Sequence, residues 1–374
     1  MVNNLKTSLF NWIKGSIGWK TNRKIIVFES DDWGSIRMPS QKVYDSLESK
    51  GIRLDSPGGS LFNRYDTLAD EDDLTALFEV LQSVKDKNGN SAVFTAVSVV
   101  ANPDFQKIKD HGFDQYFYEP FTRTLEKYQG HNRTFSLWKE GLQNRLFVPE
   151  CHSREHLNTL LWMENLQKGD KQTRTAFDHG MWGYDRGNNQ PSYQIAFHIG
   201  KQQDLSHQKN IVADGLRLFE DVFGFKASFF VPPNGIFHPE LEEITFHKGI
   251  KSLYGSFLYE IPTGNYATKK TIRYLGQRNA FGQKYVLRNC LFEPNEPGYD
   301  WLGIALKDIE TAFLYRKPAI LGPHRKNFIG SINEKNRTNS LGILKQLLKS
   351  TINKWPDVEF MSTGDLVKIM DESV

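Results

Sequence analysis

Two cysteines in 374 residues, Cys151 and Cys290, leave no disulfide framework and no thiolate zinc site. Long apolar runs are also missing, and none approaches the ~20 residues that a membrane-spanning helix needs. Charge of one sign is missing as well. The chain has 47 basic and 44 acidic residues, net +3, interspersed along its length, and this excludes the basic footprint of a nucleic-acid-binding protein. The opening stretch, MVNNLKTSLFNWIKGSIGWK, has neither the continuous apolar core nor the small-residue cleavage site of a secretory signal, so a cytoplasmic protein is expected. Leu5, Leu9, Ile13 and Ile17 recur there at helical spacing beside Lys6, Lys14 and Lys20. Such a helix is expected to pack on the body of the protein, with contact to a membrane surface as the lesser alternative. Internal repeats, low-complexity tracts and strong linkers are absent, so residues 1–374 read as a single domain.

What is present is ordinary globular material, 39% hydrophobic and 24% charged, with an aromatic share of 13% that suits both a Phe-rich core and stacking on sugars. Short apolar runs of strand length appear at IIVF (25–28), AVFTAVSVV (92–100), LFVP (146–149), ASFFV (227–231), SLYGS (252–256), AIL (319–321) and VEFM (358–361). Helical patterns fall between them. One runs through Leu74, Leu77, Phe78 and Leu81, another through Leu344, Leu347 and Leu348, and a third follows the SxxD start at Ser362 and Asp365. This alternation predicts an α/β fold, a distorted (β/α) barrel of about seven parallel strands. Two polar, aromatic stretches, near 105–142 and 169–210, exceed a minimal barrel and read as long loop insertions of the kind that often carries binding elements.

The polar residues just past these strands carry the chemistry. Asp31 and Asp32 follow the first run, His152 and His156 the third, Pro232 to Gly235 the fourth, and His324 the sixth. In a (β/α) barrel the carboxyl ends of the strands converge on one face, where active sites sit. One Asp at a strand end is an ordinary turn or cap residue, but two adjacent carboxylates repel unless a cation or a shared proton relieves them. His152 and His156 are four apart, so a helical turn would aim both at one divalent ion, with Asp32 as third ligand. Two His and one carboxylate suit zinc with an open position, and also Fe(II), Co or Ni.

The ordered set resembles the polysaccharide deacetylase (NodB-homology) family, also grouped as carbohydrate esterase family 4. Glu29-Ser30-Asp31-Asp32-Trp33 aligns with Thr-Phe-Asp-Asp-Gly, and His152-Ser153-Arg154-Glu155-His156 matches His-Ser/Thr-x-x-His fully. Val231-Pro232-Pro233-Asn234-Gly235 aligns with Arg-Pro-Pro-Tyr-Gly, and residues 321–324 align loosely with Leu-x-His. The resemblance implies the NodB-like barrel and one divalent ion, zinc first, held by Asp32, His152 and His156. It implies Asp31 as general base, His324 as general acid, and a backbone N–H near Asn234 as oxyanion donor. The implied reaction removes an N-acetyl group from an amino sugar of a polysaccharide or glycan precursor, so the expected partner is a carbohydrate.

Three departures bear on this. Val231 stands where the family has an arginine that orients the catalytic aspartate, leaving Arg37, Arg154 and Arg325 as unranked replacements. Trp33 stands for a glycine, which suggests a narrower entrance. Asp300-Trp301 is a weak match for the family's aspartate–tryptophan motif. The competing readings are a hydrolase of another N-acyl or cyclic amide bond on the same barrel, a carbohydrate-binding pseudoenzyme, a glycosidase and a peripheral membrane scaffold.

Overall fold

The structure is a computed structural model and describes residues 15–55, 60–128, 130–187 and 190–372. The N-terminal helix expected through Leu5, Leu9 and Ile13 lies outside the described residues. Ile17 is within them and packs, half-buried, against a core cluster. Among the described residues, no helix is long and apolar enough to cross a membrane.

The strands are β1 (Lys24–Trp33), β2 (Phe94–Ser98), β3 (Ala101–Pro103), β4 (Tyr118–Pro120), β5 (Phe147–Cys151), β6 (Phe229–Phe230), β7 (Ser252–Gly255), β8 (Leu258–Gly264), β9 (Ala267–Ile272), β10 (Lys284–Leu287), β11 (Ala319–Leu321) and β12 (Val358–Phe360). The main sheet is ordered β10-β7-β6-β5-β2-β1-β11, and every pairing in it is parallel. Its two ends meet. The N–H groups of Asn289 and Cys290, just past β10, both donate to Ile320 O of β11 at 3.1 Å. Seven parallel strands therefore curl into a closed, distorted ring, the expected α/β barrel.

The ring differs from expectation in its membership. VEFM forms β12, which pairs only with the start of β1, and the seventh ring strand is KYVL, β10, which is not among the apolar runs of the sequence. Its leading lysine and short length hide it, although all four residues are buried. The pairs β3–β4 and β8–β9 form separate two-stranded sheets. The two insertions are not plain loops. The first holds the helices Phe105–Asp110, Phe121–Glu126 and Thr134–Gln143, and the second holds Lys171–Phe177. Aromatic and aliphatic residues inside them, such as Phe121, Trp138 and Phe177, are buried and supply the packing that fixes helix here.

Alternation along the strands sorts side chains between two cores. Ile25, Val27, Val97, Phe229, Val231, Val286 and Ile320 meet inside the barrel, where Leu366, Val367 and Met370 of the last helix (Thr363–Glu372) pack on them. Ile26, Phe28, Phe94, Phe147, Ala319 and Leu321 face outward against the helices Glu71–Gln82, Trp301–Leu314 and Glu334–Lys354. Trp33 joins this outer core, fully buried and edge-on to Phe147 at 4.7 Å. It lines no entrance, which corrects the reading of a narrowed mouth. Asp300-Trp301 is likewise structural. The Asp300 carboxylate accepts from Gly303 N at 2.9 Å and caps the helix that Trp301 begins.

Candidate active site

On β1 the inward positions run Ile25, Val27, Glu29, Asp31, so Asp31 reaches the barrel mouth by simple alternation. Asp32 should then point outward. A register shift between Ser30 and Trp33, with Asp32 at φ +73°, breaks the alternation. Both adjacent aspartates line the same cavity of about 200 Å³. The turn closes at Gly34, φ +80°, where an added Cβ would lie 2.4 Å from Val99 O.

His152 and His156 reach the cavity from an irregular segment after β5, not from the helical turn expected of their spacing. Ser153 between them sits at φ +75°, which no helix allows. The segment is held by His152 N donating to Ser98 O at 2.7 Å and by Val100 N and Ala101 N donating to Arg154 O. His152 Nδ1–H donates to Val231 O at 2.7 Å, so its Nε2 keeps a lone pair directed at the site. The Nε2 atoms of His152 and His156 each lie 3.4 Å from Asp32 Oδ1, and the three ligand atoms lie within 4.8 Å of one another. Two ligands at ~2.0–2.1 Å from a tetrahedral ion are about 3.4 Å apart, so the trio fits a zinc-sized ion. His156 has no matching anchor. Its Nδ1 is buried without a partner, and its ring is oriented by stacking on Trp182 at 6.2 Å. Burial pushes the His156 imidazole down to about 4, the neutral form a metal ligand must take. Burial pushes the Asp32 carboxyl up, but His152, His156 and His324 outweigh it and leave Asp32 well below its ordinary range.

None of the three arginines considered from sequence partners Asp31. Arg154 pairs with Glu155 and Asp214, Arg325 pairs with Asp66, and Arg37 bonds Asn63. The partner is Arg288, two residues past Val286 on the inward face at the end of β10. Its Nη1 and Nη2 each donate to an Asp31 oxygen at 2.6 Å, and its Nε donates to Glu29 Oε2 at 2.9 Å. Burial pushes the Asp31 carboxyl up, and the bidentate guanidinium more than reverses this, so Asp31 stays ionised. The signal was available in KYVLR, an apolar run ending in a charge like the other strand ends.

His324 follows β11 beside Asp31, whose backbone it bridges. Its Nδ1 bonds Glu293, whose other oxygen accepts from Lys326 Nζ and Asn327 Nδ2 at 2.8 Å each. Burial alone would lower the imidazole, but Glu293, with Asp32 and Asp31, raises it to about 9. Glu293 carries no strand-end signal in the sequence, since it lies six residues past β10 in a Pro- and Asn-rich loop. Asn234 stands on the rim at φ +56°, exposed, and Gln194 and Arg37 complete the wall. Of the two insertions, 169–210 supplies Gln194 and Trp182, while Trp138 and Phe121 of 105–142 pack behind Trp33.

No family model matches the chain, and no curated protein matches it. Among solved structures, it resembles the 4-alpha-glucanotransferase of Thermococcus litoralis (9% identity, TM-score 0.47, 92% of this chain covered). The chain spans only 40% of that enzyme's length. It also resembles a putative polysaccharide deacetylase from Mycobacterium smegmatis (10% identity, TM-score 0.43, 96% of this chain and 94% of that one). A third likeness is to a probable polysaccharide deacetylase from Pseudomonas aeruginosa PAO1 (8% identity, TM-score 0.46, 93% and 90%).

Proposed function

We propose that the chain is a metal-dependent hydrolase that removes an N-acetyl group from an amino sugar of a polysaccharide or glycan precursor. The observation that carries this is one small cavity holding three groups of residues at once. They are the Asp32–His152–His156 trio, an ionised Asp31 clamped by Arg288, and a protonated His324 backed by Glu293. A divalent ion at the trio, zinc by ligand type, would supply Lewis acidity toward the acyl carbonyl and lower the pKa of water from 15.7 toward ~7.

The chain's own residues do the rest. Asp31 Oδ atoms each keep a lone pair beyond the Arg288 bonds, so the carboxylate accepts the proton of the attacking water. Its clamp makes it a weak base, adequate for an acidified water and poor for any other. His324 bonds Glu293 through Nδ1, which leaves Nε2–H to protonate the departing amine, a leaving group that needs that proton. The Asn234 backbone, in the left-handed turn at the rim, supports the developing oxyanion. Arg288 argues against a pseudoenzyme, since it binds Asp31 as the arginine absent at Val231 would.

The test is elemental analysis of the purified protein together with acetate release from a panel of N-acetylated glycans. About one divalent ion per chain and acetate release that Asp31→Asn abolishes are expected. A metal-replete protein silent on the whole panel would remove the deacetylase reading.

A further inference from the structure

Arg37 is 5% exposed and lines the cavity. Its Nε donates to Asn63 Oδ1 at 3.0 Å, and Asn63 is itself tied to Leu54 O at 2.7 Å. The guanidinium lies over Phe62 at 5.0 Å, with the Gly183 backbone close along its edge. Its Nη2 is buried and has no partner. The other buried arginines among the described residues differ in one respect. Arg154, Arg273 and Arg325 each donate to a carboxylate, from Glu155, Glu242 and Asp66. Arg288, only slightly more exposed, binds two. Arg37 donates to none: Asp66 and Asp32 act on it only through space, Asp66 being bonded to Arg325 and Asp32 facing the two histidines. A buried guanidinium without a bonded counter-charge is costly and persists where something else supplies the anion. Burial lowers it only to about 10, so it remains charged at neutral pH.

The geometry points to Arg37 as an anion subsite. The site takes an N-acylated sugar carrying an anionic oxygen group, carboxylate or phosphate, close to the acylamino group. This rests on the functional reading above and narrows its substrate class. The planar fork of arginine matches both anions bidentately. The cavity's carboxylates are otherwise engaged, Asp31 by Arg288, Glu293 by His324 and Lys326, and Asp32 by the two histidines and the ion proposed above. Arg37 is thus left as the cavity guanidinium with no carboxylate bonded to it.

Calorimetric titration of the metal-loaded protein tests this without requiring turnover. Three ligands are compared, neutral N-acetylglucosamine, its 6-phosphate and its 3-O-lactyl ether, which carries a carboxylate. Wild-type protein should bind at least one anionic sugar ten-fold or more tighter than the neutral one, and that ratio should collapse toward one in Arg37→Gln. Preference for the ether identifies a carboxylate and preference for the 6-phosphate a phosphate. Equal affinities for all three in the wild type, or an unchanged ratio in folded Arg37→Gln, would overturn the proposal. If Arg37→Gln does not fold, Arg37→Lys carries the test, since it keeps the charge and loses the fork, and a several-fold drop in the ratio is expected. Arg37-dependent anion binding without acetate release would remove the deacetylase reading and leave the subsite. Acetate release indifferent to the anion and to Arg37 would do the reverse.

Discussion

Arg288 divides its guanidinium between Glu29 and Asp31, so removing it leaves two buried carboxylates facing each other at the barrel mouth. Breaking a buried pair on one side costs about 3–5 kcal/mol, and Arg288→Met should lose stability of that order by urea unfolding. Because the arginine holds the Asp31 carboxyl down, its loss should also move the acidic limb of the pH–turnover profile to higher pH. An unmoved limb would detach Arg288 from the base. His324 gives a second case with the opposite sign. Its pKa is raised from 6.5 to about 9, so its pairing with Glu293 stabilises the metal-free protein fully below pH ~6.5 and fades as pH rises through ~9. Glu293→Gln should lower the melting temperature at pH 6, converge with wild type near pH 10, and shift the basic limb of turnover downward. The metal-ligating and catalytic candidates Asp31, Asp32, His152, His156 and His324 were legible because each follows an apolar run in chain order, although Asp31 and Asp32 fall within the last residues of β1. Arg288 was not. The position expected to carry such an arginine, just past β6, holds Val231, and the guanidinium that binds Asp31 comes from just past β10, where no motif marks it.

The helix Asp204–Phe223 runs directly behind the segment that carries the two histidines. A Cβ at Gly215 would lie 2.7 Å from Arg154 N and 3.0 Å from its Cα, both backbone and unable to yield. Gly→Ala inside a helix is ordinarily favourable by ~1 kcal/mol. Here Gly215→Ala should instead lower metal affinity, measured by competition with a chelator, while far-UV circular dichroism stays native. Ser153 offers the complementary case. At φ +75° and fully buried, it should accept glycine with little change, whereas Ser153→Val should cost about 1–3 kcal/mol and release metal. The backbone reversal at Ser153 is also why the four-residue histidine spacing misled. Helical neighbours and a kinked loop bring i and i+4 together equally well, and only the φ angle tells them apart. Runs such as residues 25–28, apolar at every position, were readable as strands, while KYVL of β10 opens on a lysine and its flanking polar residues dominate.

At the scale of the molecule, the ring depends on its seam. Asn289 closes it with its side chain as well as its backbone, accepting from Ile320 N at 2.8 Å and donating to Pro318 O at 2.9 Å. Asn289→Ala should therefore loosen β10 from β11. The expected result is a loss of about 1–3 kcal/mol and a larger loss of turnover than of metal, because Arg288 next to it would no longer be held against Asp31. Equal loss of both would show that the seam supports the ligand trio as well.

That same arrangement sets an order of arrival during synthesis. Asp32, His152 and His156 come from β1 and the segment after β5, with β2 alone between those strands, and all three have been made by residue 156. The Val231 carbonyl that steadies His152 comes next, then Arg288, then His324. A chain growing from its N-terminus therefore has all three proposed metal ligands long before it has Arg288 to clamp Asp31, or His324. On the function proposed above, the nascent protein would capture an ion as a partial sheet and become capable of hydrolysis only when the last strands of the ring fall into place.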